Sequence, residues 1–224
     1  MTQKKKPAGA PASAGGQFDN NPQRTKASSG LDHVSNDEIH DAVNDSYPLP
    51  QANSVASLSL TVDALDSGIT HAETVAESIG KVGRQGAYYL NAVGYLGLAD
   101  RNEDGEYELT PLGERVAATE GSERSSLMAR IVSEAPLARA VRNEDATEMS
   151  RITAGLGDDT EARRIGTAES WSRAESDIDK DEAEHEALRA QHAGGFAKAA
   201  EKSRAAVATT RATRVDEEPK VCPD

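Results

Sequence analysis

The sequence predicts a mainly α-helical chain with one small β-hairpin, and three observations carry that expectation. Apolar residues recur every three to four positions in several separate stretches, the first being Val55, Leu58, Val62 and Leu65, which is the repeat of a single helix face. Two short β-type runs, Leu98-Ala99 and Tyr107-Glu108-Leu109, flank Asn102-Glu103-Asp104-Gly105, a segment of hairpin-turn composition. Polar, alanine- and glycine-rich stretches lie on either side, with little apolar area to set against the entropy of ordering them.

The elements follow in order. Residues 1–34 read as a disordered basic arm, low in complexity and carrying Lys4, Lys5 and Lys6. Residues 54–66 form the first helix, with one apolar stripe, and Gly68 ends it. Thr70-His71-Ala72-Glu73 has the form of a capping box, in which the threonine hydroxyl accepts the Glu73 N–H. Val75 and Ile79 of the short helix behind it face inward, and Gly80 closes it. A further helix runs from about Arg84 to Tyr95, with Ala87, Leu90, Val93 and Leu96 on its inner side and Gly97 as its stop. The hairpin comes next. Thr110-Pro111 then opens another helix, with proline where no N–H is needed. Helix, helix, turn, helix, strand, turn, strand, helix is the order of a winged helix-turn-helix, assigned here to residues 35–118.

Residues 119–174 read as a helical extension or a second helix-turn-helix, with the extension favoured. Leu127, Met128, Ile131 and Val132 give one apolar face, and Pro136 restarts the chain. Met149, Ile152 and Leu156 make a short stripe, and Ile165, Ala168 and Trp171 line one side of a helix over 160–174. Residues 175–224 are acidic and alanine-rich, the composition of a solvated helix or a disordered tail. His185 and His192 have no partner at metal-ligand spacing and read as surface residues.

Composition narrows the function classes. The chain has 224 residues, 37% of them hydrophobic and 4% aromatic, with a net charge of −13. No apolar run approaches the ~20 residues of a membrane span, the N-terminus lacks an apolar signal core, and one cysteine excludes an internal disulfide framework. These features place the chain in the cytoplasm. A nonspecific nucleic-acid binder acting through overall charge does not fit an acidic total, whereas a local basic face does. No phosphate loop, HExxH, GxSxG or paired CxxC occurs, so no catalysis and no cofactor are expected. Val221-Cys222-Pro223 resembles the opening of a zinc knuckle, but one thiolate does not hold a structural zinc, and no metal is expected.

Two resemblances add to this reading. The stretch ETVAESIGKVGRQGAYYLNAVGYLGLADRNEDGEYELTPLGE resembles the winged-helix module found beside some bacterial restriction endonucleases, where RQxxYYLNAxxYLGL precedes YxLTxxG. The matching positions are Arg84, Gln85, Tyr88, Tyr89, Leu90, Asn91, Tyr95, Leu96, Gly97 and Leu98, then Tyr107, Leu109, Thr110 and Gly113. EARRIGTAESW at 161–171 is similar to the RRxxTxxSW helix that follows in the same proteins. The resemblance implies a DNA-associated role; it does not imply nuclease activity, because the module lies outside the nuclease domain. Residues 6–18 resemble a PAGTPAGGQF leader of actinobacterial phage and mobile-element proteins, which implies an origin.

In a helix-turn-helix the second helix enters the major groove and its first residues meet the base edges. Arg84 is of the type that pairs with guanine and Gln85 with adenine, while Lys81 in the turn suits a phosphate. No acidic residue occurs from Ser78 to Ala99, a clearing in so acidic a chain. Tyr88 and Asn91 on the same helix, Arg101 in an otherwise acidic wing, and Arg163 and Arg164 complete the expected DNA-contacting set. Tyr89 and Tyr95, at helical spacing, are expected to be buried. The expected partner is double-stranded DNA; the alternative is a protein-interaction module whose surface never touches DNA.

Overall fold

A computed structural model describes residues 34–215. The expected arm through residue 33 and the knuckle-like Cys222 lie outside the described residues. Val34 does not belong to an arm: it is buried, and its carbonyl accepts from Arg130.

Among the described residues the chain is mainly helical with one two-stranded antiparallel sheet. The elements are α1 (Asn36–Ala42), α2 (Val55–Asp66), α3 (Ala72–Ser78), α4 (Gly83–Tyr95), β1 (Ala99–Arg101), β2 (Tyr107–Leu109), α5 (Pro111–Ala118), α6 (Gly121–Ser133), α7 (Pro136–Arg142), α8 (Ala146–Ile152), α9 (Asp158–Ser172) and α10 (Ile178–Val215). No helix in this region is long and apolar enough to cross a membrane.

Helix α2 starts where Ser54 accepts the Ser57 N–H at 3.1 Å. The single stripe expected on it is a correction: Leu58, Leu60, Val62 and Ala64 are all fully buried. Helices α3, α4, α5, α6 and α10 surround it, so every face meets protein. Each Leu or Val buried this way contributes roughly 1.5–3 kcal/mol, which makes α2 the centre of the core.

Helices α3 and α4 pack closely across Gly86, where a Cβ would run into the carbonyl oxygen of Ala72. The turn between them depends on Gly80, whose φ of +68° is costly for other residues. The capping box expected at Thr70 does not form. His71 is the N-cap of α3, and the Thr70 hydroxyl instead bonds Ser203 Oγ at 3.2 Å and His71 Nδ1 at 3.0 Å. A long-range partner has displaced a local one.

The hairpin register pairs Ala99 with Leu109 and Arg101 with Tyr107. Asn102 Oδ1 accepts from the N–H of Asp104 and of Glu106, and Gly105 takes φ +83°. Thr110 caps α5, accepting the Gly113 N–H at 3.1 Å. Two elements depart from expectation. Helix α1, capped by Ser35, is not among the elements the apolar spacing signals. The stripe of Met149, Ile152 and Leu156 is only half-buried, and α8 buries no residue.

The second half is tied to the first by specific bonds. Trp171, buried on α9, donates its indole N–H to the Ala52 carbonyl at 2.9 Å. The 38-residue α10 packs on α2, α3 and α6. The expectation of solvated histidines is overturned here. His185 is 8% exposed and bonds Asp63 Oδ2 at 2.9 Å, and the His192 ring lies against Gly80. Ala199, Ala200 and Ser203 are buried on the same side of α10.

Candidate nucleic-acid interface

The start of α4 is the exposed half of that helix. Val82, Gly83, Arg84 and Gln85 are exposed, whereas Leu90, Val93 and Tyr95 beyond them are buried. The alternation of polar and apolar residues makes this division: the first turn carries nothing the core needs. Backbone bonds fix the entry into the helix. Lys81 N–H donates to Ala76 O at 2.8 Å and Gln85 N–H to Val82 O at 2.7 Å. The Gln85 side chain reaches back to the Val82 N–H at 3.3 Å, satisfying one of the donors left open at a helix start.

Arg84 and Tyr88 are one turn apart, and the guanidinium lies 5.7 Å from the Tyr88 ring centre, a cation–π geometry. Lys81 makes the same kind of contact to Tyr89, at 5.8 Å. Tyr89 and Tyr95 are buried, as their spacing predicts. Burial pushes both phenols above the usual tyrosine value, so neither ionises near neutrality.

Arg164, from α9, comes to the same place. Its electrostatic neighbourhood includes Tyr88, 76 positions away in the sequence. Burial first, and then the neighbouring Arg163, lower its pKa from that of a free arginine. It stays charged regardless, because arginine titrates so far above neutrality. Gln51 holds it: with the amide oxygen turned toward the guanidinium, it accepts from both terminal nitrogens at 2.9 and 2.7 Å. Arg163 is exposed and folds its Nε onto Asp159 O at 2.9 Å. Arg84 and Tyr88 thus share one face of α4 with Arg164 in their neighbourhood, and Lys81 and Gln85 flank Arg84 along the chain.

Two expected residues are otherwise engaged. Asn91 accepts the Tyr107 hydroxyl at 3.0 Å, tying α4 to β2. Arg101 folds over the hairpin turn, its Nε on Gly105 O at 3.1 Å, while its backbone N–H meets the Tyr47 hydroxyl at 2.9 Å. Both roles are structural. The sequence reading missed Gln51, for which no local pattern exists. Val82, an apolar residue between Lys81 and Gly83, stands at the same helix start and is visible in the sequence. Among the described residues no group of acids, histidines and cysteines is placed to hold a metal.

A family model described as a domain of unknown function (DUF7226) matches residues 61–173, half of the chain. The match runs from within α2 to the end of α9, so it includes Lys81, Arg84, Tyr88 and Arg164 but not α10. No curated protein and no solved structure matches the chain.

Proposed function

The chain belongs to the DUF7226 family, and from that premise we propose that it is a DNA-binding protein. In this reading α2 to β2 form a winged helix-turn-helix, α4 is the helix that enters the major groove, and the hairpin is the wing. The observation that carries the reading is the Arg84 guanidinium over Tyr88 at the exposed start of α4, with Arg164 of α9 in the neighbourhood of the same ring. Two guanidinium groups from separate elements, with Lys81 nearby, make a cationic surface at an exposed helix start in a chain of net charge −13. A phosphate backbone is the partner such a surface fits, and Arg84 and Gln85 are of the types that read base edges. The wing adds little, because Glu103 and Asp104 are exposed there and Arg101 is folded onto the turn. The resemblance of 84–113 to the module beside restriction endonucleases supports a regulatory or accessory role.

The test is duplex binding at several salt concentrations. Arg84→Ala should weaken the preferred duplex by ~1–3 kcal/mol and relax the preference at one base pair. Lys81→Ala should weaken all duplexes alike and reduce the salt dependence. Equal binding by wild type and Arg84→Ala sinks the reading. The half-buried Met149, Ile152 and Leu156 favour a second reading, a contact with another protein through α8 and the turn that follows it.

A further inference from the structure

Two residues at the start of α4 are unexplained by the fold. Val82 is 69% exposed, and no other large hydrophobic side chain among the described residues is exposed. It is also the N-cap of α4, a position where a serine or aspartate would bond an open N–H and valine makes no such bond. Gly83 follows it. Its φ lies outside the left-handed region, and a Cβ added there would meet nothing within 4 Å. Neither conformation nor packing asks for glycine, which is a poorer helix former than alanine. Gln85 bonds the backbone of Val82 from both its side chain and its own N–H, but nothing in the fold asks for an exposed valine or for a glycine at these two positions.

A partner seated on this turn would use both. Gly83 lets a second molecule approach the backbone, and Val82 offers it a small apolar knob. The knob is stiff, because a β-branched side chain has little χ1 freedom, and the turn beneath it is pinned by the Lys81 N–H on Ala76 O. Its neighbours Lys81, Arg84 and Gln85 are all polar, so the partner surface must be polar with a single apolar point. The major-groove edge of duplex DNA is such a surface, and its one apolar group is the C5-methyl of thymine. Resting on the DNA-binding reading above, we propose that Val82 is a specificity residue that packs on a thymine methyl, with Gly83 providing the clearance that brings the two together.

The experiment has two stages. The full chain selects duplexes from a randomised pool, and each thymine of the tightest duplex is then replaced in turn by uracil, which lacks only the methyl. Wild type should lose roughly fourfold in affinity at one position per bound molecule, the worth of one buried methyl. Val82→Ser should bind the thymine duplex about as weakly as wild type binds the uracil one, and should be indifferent to uracil at that position. Gly83→Ala should bind more weakly while melting no lower than wild type. A flat uracil scan, or a uracil penalty that persists in Val82→Ser, overturns the thymine contact and leaves DNA binding standing. If no duplex is selected at all, DNA binding itself falls, and the thymine contact with it.

Discussion

Asp63 is the residue whose replacement should cost the fold most for the smallest change in shape. It lies on α2, with side chains from two other helices directed at it. Arg124 of α6 donates Nη1 to Asp63 Oδ1 at 2.7 Å, and His185 of α10 meets Oδ2 at 2.9 Å. The side chains of Asp63 and Arg124 are 15% and 3% exposed. Burial raises the Asp63 carboxyl, but the His185 hydrogen bond and the Arg124 charge outweigh it, and the pKa lies below the usual carboxylate value. Asp63→Asn keeps the shape and one acceptor but leaves the Arg124 charge uncompensated. Breaking a buried pair this way costs ~3–5 kcal/mol. That is a large part of the ~5–15 kcal/mol of a typical domain. The assay is urea unfolding, followed by Trp171, the chain's one tryptophan, which is buried in the fold. The pH dependence has a fixed sign. A depressed carboxylate pKa contributes stability that is present above the unfolded-state pKa of ~3.9 and is lost as pH falls through the folded value. The gap between wild type and Asp63→Asn should therefore be full at pH 7 and narrow in acid. Asp63→Leu combined with Arg124→Met should recover most of the loss, since a well-packed apolar pair avoids the desolvation of both charges. A loss below ~1 kcal/mol for Asp63→Asn would mean the pair behaves like one at the surface, and the reasoning fails.

Two further outcomes can be checked with the same unfolding assay. Gly86→Ala places a methyl against the Ala72 carbonyl and must push α3 from α4, a loss of about 1–3 kcal/mol by overpacking. Asp181 has its carboxyl raised to about 6, first by burial and then by Glu184 and Asp177. A raised carboxyl favours the fold at low pH, and that advantage is lost as pH rises through 6. Asp181→Asn should therefore stabilise the protein above pH 6 and not at pH 4, by at most ~1 kcal/mol because the side chain is half exposed and screened.

What the sequence shows depends on whether a residue's partner is local. Gly80, Gly97 and Gly105 sit where positive φ is required, and Thr110-Pro111 caps a helix through its own hydroxyl. Each of these is decided within a few residues, and each was legible. Thr70 was misread because Ser203, 133 positions away, takes the hydroxyl that a local cap would have used. Ser35 and Glu38 have capping-box spacing ahead of α1, yet the seven-residue helix has one buried side chain, Ile39, too little for a periodic signal. The inner side of α10 is built from His185, Ala199, Ala200 and Ser203, with Ile178, Leu188 and Phe196 half-buried against the core. The three large apolar residues stand too far apart to register as an apolar face and the rest are small or polar, so the helix reads as solvated. The same limit applies to the candidate site. The acid-free stretch around Arg84 was visible in the sequence, whereas the arrival of Arg164 beside Tyr88 depends on how α9 packs.

The docking of α10 changes what its acidity means for DNA binding. As a free tail, 175–224 would oppose a phosphate backbone by charge alone, and its removal would strengthen binding. Here α10 covers parts of α2, α3 and α6, pairs Lys202 with Glu77 of α3 at 2.7 Å, and places His192 against the Gly80 turn. Cutting the chain after residue 177 would uncover that apolar surface and remove the His185 partner of Asp63. The truncated protein should unfold at lower urea and expose hydrophobic surface to a dye, so weaker DNA binding by it would report folding and not charge. The charge effect has to be isolated on the outer side of the helix. Asp179, Glu186 and Glu201 are exposed there. Asp179→Asn, Glu186→Gln and Glu201→Gln together remove three negative charges without touching the buried side. The triple variant should unfold within ~0.5 kcal/mol of wild type. It should also associate with duplex DNA faster at low salt, with the difference vanishing as salt screens the surface. Unchanged association at low salt would mean the field of α10 does not reach the surface around Arg84.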